Sequence, residues 1–254
     1  MIPRMTTNAD SFLRPRPLRT QSIFVRVTKE EHQAITEAAA IAEAPSVADF
    51  MREAVRAAIE EFLATGFVDE VIVVNNNAEP GTDEEVRKTP AKLIYEKRQG
   101  YGYTYQTGIN AATGDYIVLS EPDGTFVGSD LERLLVYAKD FPVVFGTRTN
   151  QSSILNGAAM GLIRKLADVF EAKVIEVLFG TNTLTDVGCT YKLFKREAIE
   201  KIKPWWREGS PLFATELILI TVSRKIPFIE IPITFCERVG KSTLTEKFSQ
   251  LAAW

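Results

Sequence analysis

Beyond residue 67, short runs of β-forming residues alternate with helical stretches, and this alternation constrains the fold more than any other feature. Four runs are too short for helices and are predicted as strands, over residues 70–75, 91–96, 116–120 and 143–146. Helices are predicted over residues 103–112, 130–139, 157–179 and 212–224, and a last strand over 228–235. Strands that alternate with helices build parallel units. The sequence therefore predicts an α/β fold in which helices flank a mostly parallel, Rossmann-like sheet.

Composition excludes several classes of protein. The 254 residues have room for one medium α/β domain and a small appendage, and an apolar content of 45% is ordinary for a globular protein. A net charge of −3 gives no overall case for nucleic-acid binding. Two cysteines, Cys189 and Cys236, do not make a disulfide framework, so we expect reduced thiols in the cytoplasm.

No segment of the sequence indicates insertion into a membrane. The N-terminus lacks the charged, apolar and small-residue order of a signal peptide. The most apolar window, residues 212–222, contains Glu216 and is shorter than the roughly 20 residues that span a bilayer. We therefore expect a cytoplasmic protein, with peripheral contact at the cytoplasmic face of the membrane left open.

The N-terminal part of the chain differs in character from the rest. Residues 1–19 contain prolines and arginines without an apolar period, which predicts a disordered basic tail. Residues 22–27 alternate as a strand does, and a capping box at Thr28–Glu31 opens an alanine-rich helix to about residue 43. Ser46 begins a second helix, which ends near Gly66. The sequence thus predicts a strand-helix-helix segment over residues 20–65, ahead of the domain at 66–254.

Two interpretations of this segment stay open. Its order and its residues, among them Arg26 and the run from Pro45, resemble ribbon-helix-helix repressors of the antitoxin type. That resemblance implies dimerisation through the strand and DNA contact by outward residues such as Arg26. The alternative is that the strand and helices complete the following domain, with residues 22–27 in a vacant position of its sheet.

An acidic loop follows the strand predicted over 116–120. Glu121 and Asp123 are two residues apart, and Pro122 and Gly124 prevent the strand from continuing. In an open α/β sheet, ligands bind beyond the carboxyl ends of the strands. Two carboxylates there suit Mg²⁺ or Mn²⁺, hard cations that protein carboxylates share with substrate phosphates. The sequence therefore predicts a metal site at Glu121 and Asp123, unless the loop is only a connection.

The acidic loop resembles the "DxD" loop of family-2 glycosyltransferases with the GT-A fold, especially the branch of dolichol-phosphate mannosyltransferase. The resemblance extends from about residue 66 to about residue 245, and Asp123 stands at the second aspartate of the motif. It implies metal-dependent, inverting transfer of a sugar from a nucleotide-sugar donor to a polyprenyl phosphate acceptor. The family's usual motif at the end of its first strand, Pro-x-x-Asn-Glu, is missing from this sequence.

The resemblance also implies roles for further residues. On the donor side it points to the loop after the strand at 70–75, to a glycine-bearing loop and to a late basic loop: Asn75, Asn77, Gly100, Gly102, Arg238, Lys241 and Ser242. On the acceptor side it points to Arg148, Arg164, Asp186 and Lys192, and Glu216 is a further candidate there. Asp123, Arg148 and Arg164 are the predicted catalytic residues, with the arginines binding the acceptor phosphate through paired N–H groups.

A phosphate acceptor agrees with the shortage of bases in the sequence. His32 is the only histidine, and its helix is the alanine-rich one. A hydroxyl acceptor needs a base, for which Glu216 is a candidate, whereas a phosphate monoester is already largely ionised near neutral pH. The competing hypothesis is a DNA-binding regulator, residues 20–64, fused to a degenerate and inactive glycosyltransferase domain.

Overall fold

The computed structural model of the chain describes residues 21–25, 47–78, 80–150 and 162–236. Its strands are β1 (Gln21–Val25), β2 (Ile72–Asn75), β3 (Lys92–Tyr95), β4 (Tyr116–Leu119), β5 (Val143–Thr147), β6 (Lys192–Lys195) and β7 (Phe228–Pro232). Its helices are α1 (Val47–Ala64), α2 (Thr82–Arg87), α3 (Tyr101–Ala111), α4 (Asp130–Ala138), α5 (Leu162–Phe179), α6 (Arg196–Ile202) and α7 (Phe213–Ser223). The predicted tail, the helix predicted over 28–43 and His32 lie outside the described residues.

The seven strands form one mixed sheet in the order β3-β2-β1-β4-β6-β5-β7. Strands β3, β2, β1 and β4 are parallel neighbours, as are β5 and β7. Strand β6 runs antiparallel to both β4 and β5, between which it lies. Because β6 is antiparallel to both of its neighbours, β5 runs in the same direction as β4. The carboxyl ends of β2, β4 and β5 therefore lie at the same edge of the sheet as the start of β6.

Side chains of alternate strand residues enter two apolar cores, one on each face of the sheet. In β4, Val118 packs into one core, whereas Ile117 and Leu119 pack into the other. Helices α1 and α4 cover the first face, and helices α3, α5, α6 and α7 cover the second. The fold is therefore a three-layer α/β/α sandwich, as predicted.

The N-terminal strand lies inside the sheet rather than in a separate appendage. Phe24 of β1 is in register with Ile72 of β2 on one side and with Leu119 of β4 on the other. A ribbon-helix-helix strand pairs instead with the strand of a second chain. Helix α1 buries Val55 and Ile59 in the same core as α4. The arrangement is that of the second interpretation, in which this strand fills a vacant position in the sheet.

The most apolar window of the sequence is a core helix. Helix α7 buries Phe213, Leu217 and Ile218 against the second face of the sheet. Within the residues that the structure describes, none of the helices has the length and apolar content that crossing a bilayer requires.

Candidate active site at the carboxyl edge of the sheet

The acidic loop leaves β4 at the centre of the sheet, between two strands that bring other site residues to the same edge. The Asp123 Oδ1 atom accepts hydrogen bonds from the Thr125 backbone N–H at 3.0 Å and from the Thr125 hydroxyl at 2.5 Å. These bonds close a tight turn, which Gly124 completes with a φ of 73° that favours glycine. The half-buried Asp123 carboxylate is therefore held in a fixed orientation.

Glu121 is oriented by a chain of hydroxyl groups. The Thr190 hydroxyl donates to Glu121 Oε1 at 2.6 Å, and the Tyr101 hydroxyl lies 2.6 Å from Thr190 Oγ1. Burial raises the pKa of Tyr101, and the negative charge of Glu121 raises it further, so the phenol stays protonated as a hydrogen-bonding group. Tyr105 donates to the Ser120 carbonyl at 2.9 Å. Helix α3 therefore supports the acidic loop through two tyrosines.

The other end of the acidic loop is joined to the residues after β7 and to α1. Phe126 forms an isolated antiparallel bridge with Phe235, and the Cys236 N–H donates to the Thr125 carbonyl at 3.0 Å. The Glu61 carboxylate of α1 accepts the Gly128 N–H at 2.5 Å. Elements from the start and the end of the described chain thus fix the loop.

Arg148 and Asp186, two predicted acceptor residues, form a buried ion pair with each other. Arg148 follows β5 and donates to Asp186 from its backbone N–H at 2.9 Å, from Nε at 2.8 Å and from Nη2 at 2.8 Å. Burial alone would raise the pKa of Asp186, but the Arg148 charge and hydrogen bonds outweigh it and hold that pKa below its usual value. Asp168 of α5 lies 3.7 Å from Arg148 Nη2.

Lys192 was predicted to contact the acceptor, but its side chain has no exposed surface. Its amino group donates to the Cys189 carbonyl and lies 5.5 Å from the centre of the Phe145 ring. Burial lowers the pKa of Lys192. Cys189 is buried as well, and burial raises the pKa of its thiol to about 12. Both residues belong to the packing beneath the edge and are not displayed on it.

The loop after β2 is organised by side-chain amides. Asn75 donates to Asp83 Oδ1 at 2.6 Å and accepts the Ala78 N–H at 2.9 Å. Buried Asn76 donates to the carbonyls of Glu96 and Arg98 and accepts the Gly100 N–H at 3.0 Å. Asn77 is exposed at a φ of 65°. Of the three, Asn76 was not predicted as a site residue, although it joins the β2 loop to the glycine-bearing loop.

The glycine-bearing loop is packed under the segment before α7. The Gly102 N–H donates to the Gly209 carbonyl at 2.8 Å. A Cβ atom at Gly102 would lie 2.3 Å from the Glu208 carbonyl oxygen, so the close approach requires glycine. Glu216 holds this segment in place, since its two carboxylate oxygens accept the N–H groups of Arg207 and Glu208 at 2.8 and 3.0 Å.

Four of the predicted site residues have no described side chain. Arg238, Lys241 and Ser242 lie outside the described residues, and Arg164 is described only as a backbone position of α5. Sequence reasoning missed Thr190, Asn76 and Asp83. Thr190 and Asn76 act through hydrogen bonds to residues far away in the sequence. Asp83 acts from the first turn of α2. No local pattern marks such a residue, apart from the position of Asp83 in the acidic first turn of α2.

The carboxylates of the acidic loop fit a cation that is shared with a ligand. Groups of three or more His, Cys, Asp or Glu side chains suited to a metal ion are not found among the described residues. Mg²⁺ is usually held by one or two protein carboxylates together with substrate phosphates and water. Glu121 and Asp123 provide that number, so the donor set suits a cation bridged to a diphosphate rather than a closed protein cage.

Comparisons with known proteins agree with this fold. The family model described as "Glycosyl transferase family 2" matches residues 43–203. The low-salt glycan biosynthesis hexosyltransferase Agl6 of Haloferax volcanii is 28% identical over 194 residues, which cover 76% of this chain and 45% of its own. The dolichyl-phosphate beta-glucosyltransferase of Saccharomyces cerevisiae is 23% identical over 193 residues, which cover 67% of this chain and 58% of its own. The chain spans about half the length of these two relatives.

Solved structures share the fold at low sequence identity. The glucosyl-3-phosphoglycerate synthase of Mycobacterium tuberculosis in complex with phosphoglyceric acid superposes with a TM-score of 0.62 at 14% identity. The match covers 91% of this chain and 75% of that one. The same enzyme in complex with Mn²⁺, UDP-glucose and phosphoglyceric acid gives a TM-score of 0.60. The likeness confirms the predicted α/β fold of the GT-A type.

Proposed function

Because the chain belongs to glycosyltransferase family 2, we propose that it transfers a sugar from a nucleoside-diphosphate sugar to a polyprenyl phosphate, with a divalent metal ion and inversion at the anomeric carbon. The observation that carries this proposal is the acidic loop at the carboxyl end of β4. Its two carboxylates are oriented by Thr125 and Thr190 at the edge where α/β sheets bind ligands. Two relatives are named for transfer to dolichyl phosphate.

Asp123 and Glu121 are the residues that would hold Mg²⁺ or Mn²⁺ at the donor diphosphate. The ion, when bound, neutralises charge that builds up on the departing diphosphate. The protein's own part is to fix the direction of the two carboxylates, through the Thr125 turn and through the Tyr101–Thr190 chain. The Cys236 backbone N–H is hydrogen-bonded to the acidic loop, and Arg238 follows two residues later in the sequence. This proximity in sequence supports a role for Arg238, Lys241 and Ser242 in donor binding.

Arg148 is the residue proposed to contact the acceptor phosphate. A guanidinium has five N–H donors, and Asp186 accepts from Nε and Nη2, which leaves the Nη1 edge for a phosphate oxygen. Asp186 is then a positioning residue for Arg148. Arg164, in the first turn of α5, is proposed as a second phosphate contact.

A phosphate acceptor suits the geometry better than a hydroxyl acceptor. Both carboxylate oxygens of Glu216, the candidate base, accept backbone N–H groups, so Glu216 is engaged in holding the segment before α7. In the proposed reaction an ionised phosphate oxygen forms a bond to the anomeric carbon while the bond to the nucleoside diphosphate breaks. The diphosphate leaves with the electron pair, and no proton has to be removed.

The proposal is tested by incubating the protein with Mn²⁺, radiolabelled nucleotide sugars and a polyprenyl phosphate. The matched control acceptor is the corresponding polyprenol, which lacks the phosphate. We expect a labelled lipid only with the phosphate, and the opposite anomer to that of the donor by NMR. Transfer to the free alcohol, or no transfer from any common nucleotide sugar, would overturn the proposal.

A further inference from the structure

Glu230, the middle residue of β7, holds the segment that carries Asp186. Its Oε1 atom accepts the backbone N–H groups of Thr185 and Asp186, each at 3.0 Å. Its Oε2 atom accepts the Thr185 hydroxyl at 2.7 Å. Both oxygens of one half-buried side chain thus bind two consecutive residues between α5 and β6. These three hydrogen bonds fix the backbone of Asp186, and with it the direction from which its carboxylate meets Arg148.

Glu230 is also connected to the two sequence neighbours of Arg148. The Thr185 hydroxyl, which donates to Glu230, accepts a hydrogen bond from the Thr149 hydroxyl at 2.8 Å. The Thr147 hydroxyl lies 2.8 Å from each of the other two threonine hydroxyls. Thr147 and Thr149 stand directly before and after Arg148. Two routes therefore join Glu230 to Arg148, one through the partner of its guanidinium and one through hydroxyl groups on both sides of its backbone.

A carboxylate is an unfavourable choice for this place if packing is its only purpose. Burial raises the pKa of Glu230, and the negative charge of Asp186 raises it further, against the three hydrogen bonds that lower it. A glutamine would accept the same N–H groups without a second negative charge close to Asp186. An ionised acceptor, however, forms stronger hydrogen bonds than a neutral one. Such costs are typical of functional sites, where a fixed geometry matters more than stability.

The position of Asp186 matters because a second carboxylate lies beside the same arginine. Arg148 Nη2 is 2.8 Å from Asp186 Oδ1 and 3.7 Å from Asp168 Oδ2 of α5. If the Asp186 segment moved away, the guanidinium would turn towards Asp168, because a buried charge requires a counter-charge close to it. That turn would change which N–H groups meet an incoming phosphate. The orientation of the guanidinium thus depends on the support beneath Asp186.

We propose that Glu230 is a positioning residue of the acceptor site, which holds the Arg148 guanidinium in the orientation that meets the acceptor phosphate. The inference rests on the proposed function for the identity of the ligand at Arg148. Glu230 acts through Thr185 and Asp186, which accept its support directly. A residue that only orients another changes binding of the ligand of that second residue. Removal of Glu230 should therefore weaken acceptor binding and leave donor binding as it is.

The test measures binding of citronellyl phosphate, a short water-soluble prenyl phosphate, to the full-length chain by calorimetry. We expect Glu230→Ala to bind it at least about tenfold more weakly, since three hydrogen bonds are lost, and to bind UDP with Mn²⁺ as the unchanged protein does. Glu230→Gln keeps an oxygen for the two backbone N–H groups, so it should recover most of the lost affinity.

Glu176→Ala is the matched control. The Glu176 carboxylate of α5 accepts the Leu184 N–H at 3.1 Å and contacts the Lys173 amino group at 2.6 Å. The change therefore removes a carboxylate that holds the same segment, without removing a hydrogen bond to Thr185 or Asp186. We expect this variant to bind citronellyl phosphate as the unchanged protein does.

The Arg148 Nε–H signal in a proton–nitrogen NMR spectrum reports the guanidinium directly, and its absence from Arg148→Lys identifies it. The signal should shift in Glu230→Ala, shift less in Glu230→Gln and stay in place in Glu176→Ala. An unmoved signal in Glu230→Ala overturns the inference. Equal losses of citronellyl phosphate and UDP binding in that variant also overturn it, and so does an equal loss of citronellyl phosphate binding in Glu176→Ala.

Failure of the proposed function gives a different result. If the unchanged protein binds citronellyl phosphate no better than citronellol, the phosphate acceptor is wrong, and the NMR signal alone decides the role of Glu230. A shift confined to the Glu230 variants then supports the positioning of Arg148, and no shift overturns it. If Glu230→Ala does not fold, the signal of Glu230→Gln decides in the same way.

Discussion

The acidic loop and the Arg148–Asp186 pair lie along the same edge of the sheet but hold their charges in different ways. Asp123 and Glu121 are half-buried, and the hydroxyl groups of Thr125 and Thr190 orient them. Neutral donors orient a carboxylate without cancelling its charge. Arg148 and Asp186 are buried, and each charge is countered by the other. The comparison teaches that the carboxylates of the acidic loop are oriented without a neutralising partner among these contacts, whereas the Arg148 and Asp186 charges each depend on the other.

The largest effect on stability is expected from Asp186→Ala. Arg148 would then be buried without the carboxylate that accepts three of its hydrogen bonds, and breaking a buried ion pair by removing one partner costs about 3–5 kcal/mol. Urea unfolding followed by circular dichroism measures the loss.

The matched control removes both charges, in the double variant Arg148→Met and Asp186→Leu. Because neither member of the pair is then left buried without the other, we expect part of the lost stability to return. A loss below about 1 kcal/mol in Asp186→Ala would mean that the pair behaves like an exposed one, and the contrast between the two regions would disappear.

A smaller effect, on binding rather than on folding, is expected from Thr190→Val. The variant keeps the shape of the side chain but removes the hydroxyl that orients Glu121. Loss of such a supporting group lowers metal affinity roughly 10–100-fold, which a Mn²⁺ titration in the presence of UDP measures. The stability loss should be about 1 kcal/mol.

Thr221→Val is the matched control for Thr190→Val. The Thr221 hydroxyl is buried in α7 and donates to the Leu217 carbonyl at 2.7 Å, so the change removes a similar hydrogen bond within a helix. We expect Mn²⁺ affinity to be unchanged in this variant. If both variants bind Mn²⁺ as the unchanged protein does, the Thr190 hydroxyl does not support the acidic loop's function.

The sequence predicted the strands of the sheet better than the contacts between them. The bounds of β2, β4 and β5 follow from local runs of β-branched residues, and in each strand the structure differs at one end only, by one or two residues. The partner of β1 does not follow from its own pattern, because an alternating strand suits either the sheet or a second chain. The structure favours the sheet through the pairing of Phe24 with Ile72 and Leu119.

The site residues also differ in how far they could be predicted, depending on whether their contacts are local or distant in the sequence. The acidic loop was predictable because its turn residues and both carboxylates lie within five positions of each other. The Arg148–Asp186 pair joins residues 38 positions apart, and Gly102 meets Gly209 more than a hundred positions away. Such contacts depend on the order of strands in the sheet, which residue spacing does not encode.

The smallest effect is expected at Glu96, whose partner, the Arg98 side chain, is 59% exposed. Hydrogen bonds from the Arg98 guanidinium lower the pKa of Glu96 to about 2. A pKa that is lower in the folded state adds stability above the ordinary value of about 4.5, and that stability is lost as the pH falls towards 2.

Glu96→Gln should therefore cost no more than about 1 kcal/mol at neutral pH, and it should flatten the fall in unfolding free energy between about pH 4.5 and pH 3. Urea titrations across that range measure the slope. A variant with the same acid slope as the unchanged protein would show that the Arg98 contact does not persist in solution. The pair would then offer no partly exposed reference for the buried Arg148–Asp186 pair.

Calorimetry of UDP binding to the unchanged protein and to Asp123→Asn, each with and without Mn²⁺, tests the role of the acidic loop most directly. We expect Mn²⁺ to strengthen UDP binding to the unchanged protein and to have no such effect on the variant. The variant's unfolding free energy should stay within about 1 kcal/mol of the original, since the amide oxygen still accepts the Thr125 hydrogen bonds. Equal, Mn²⁺-dependent binding by both proteins would contradict the assignment of Asp123 to the metal.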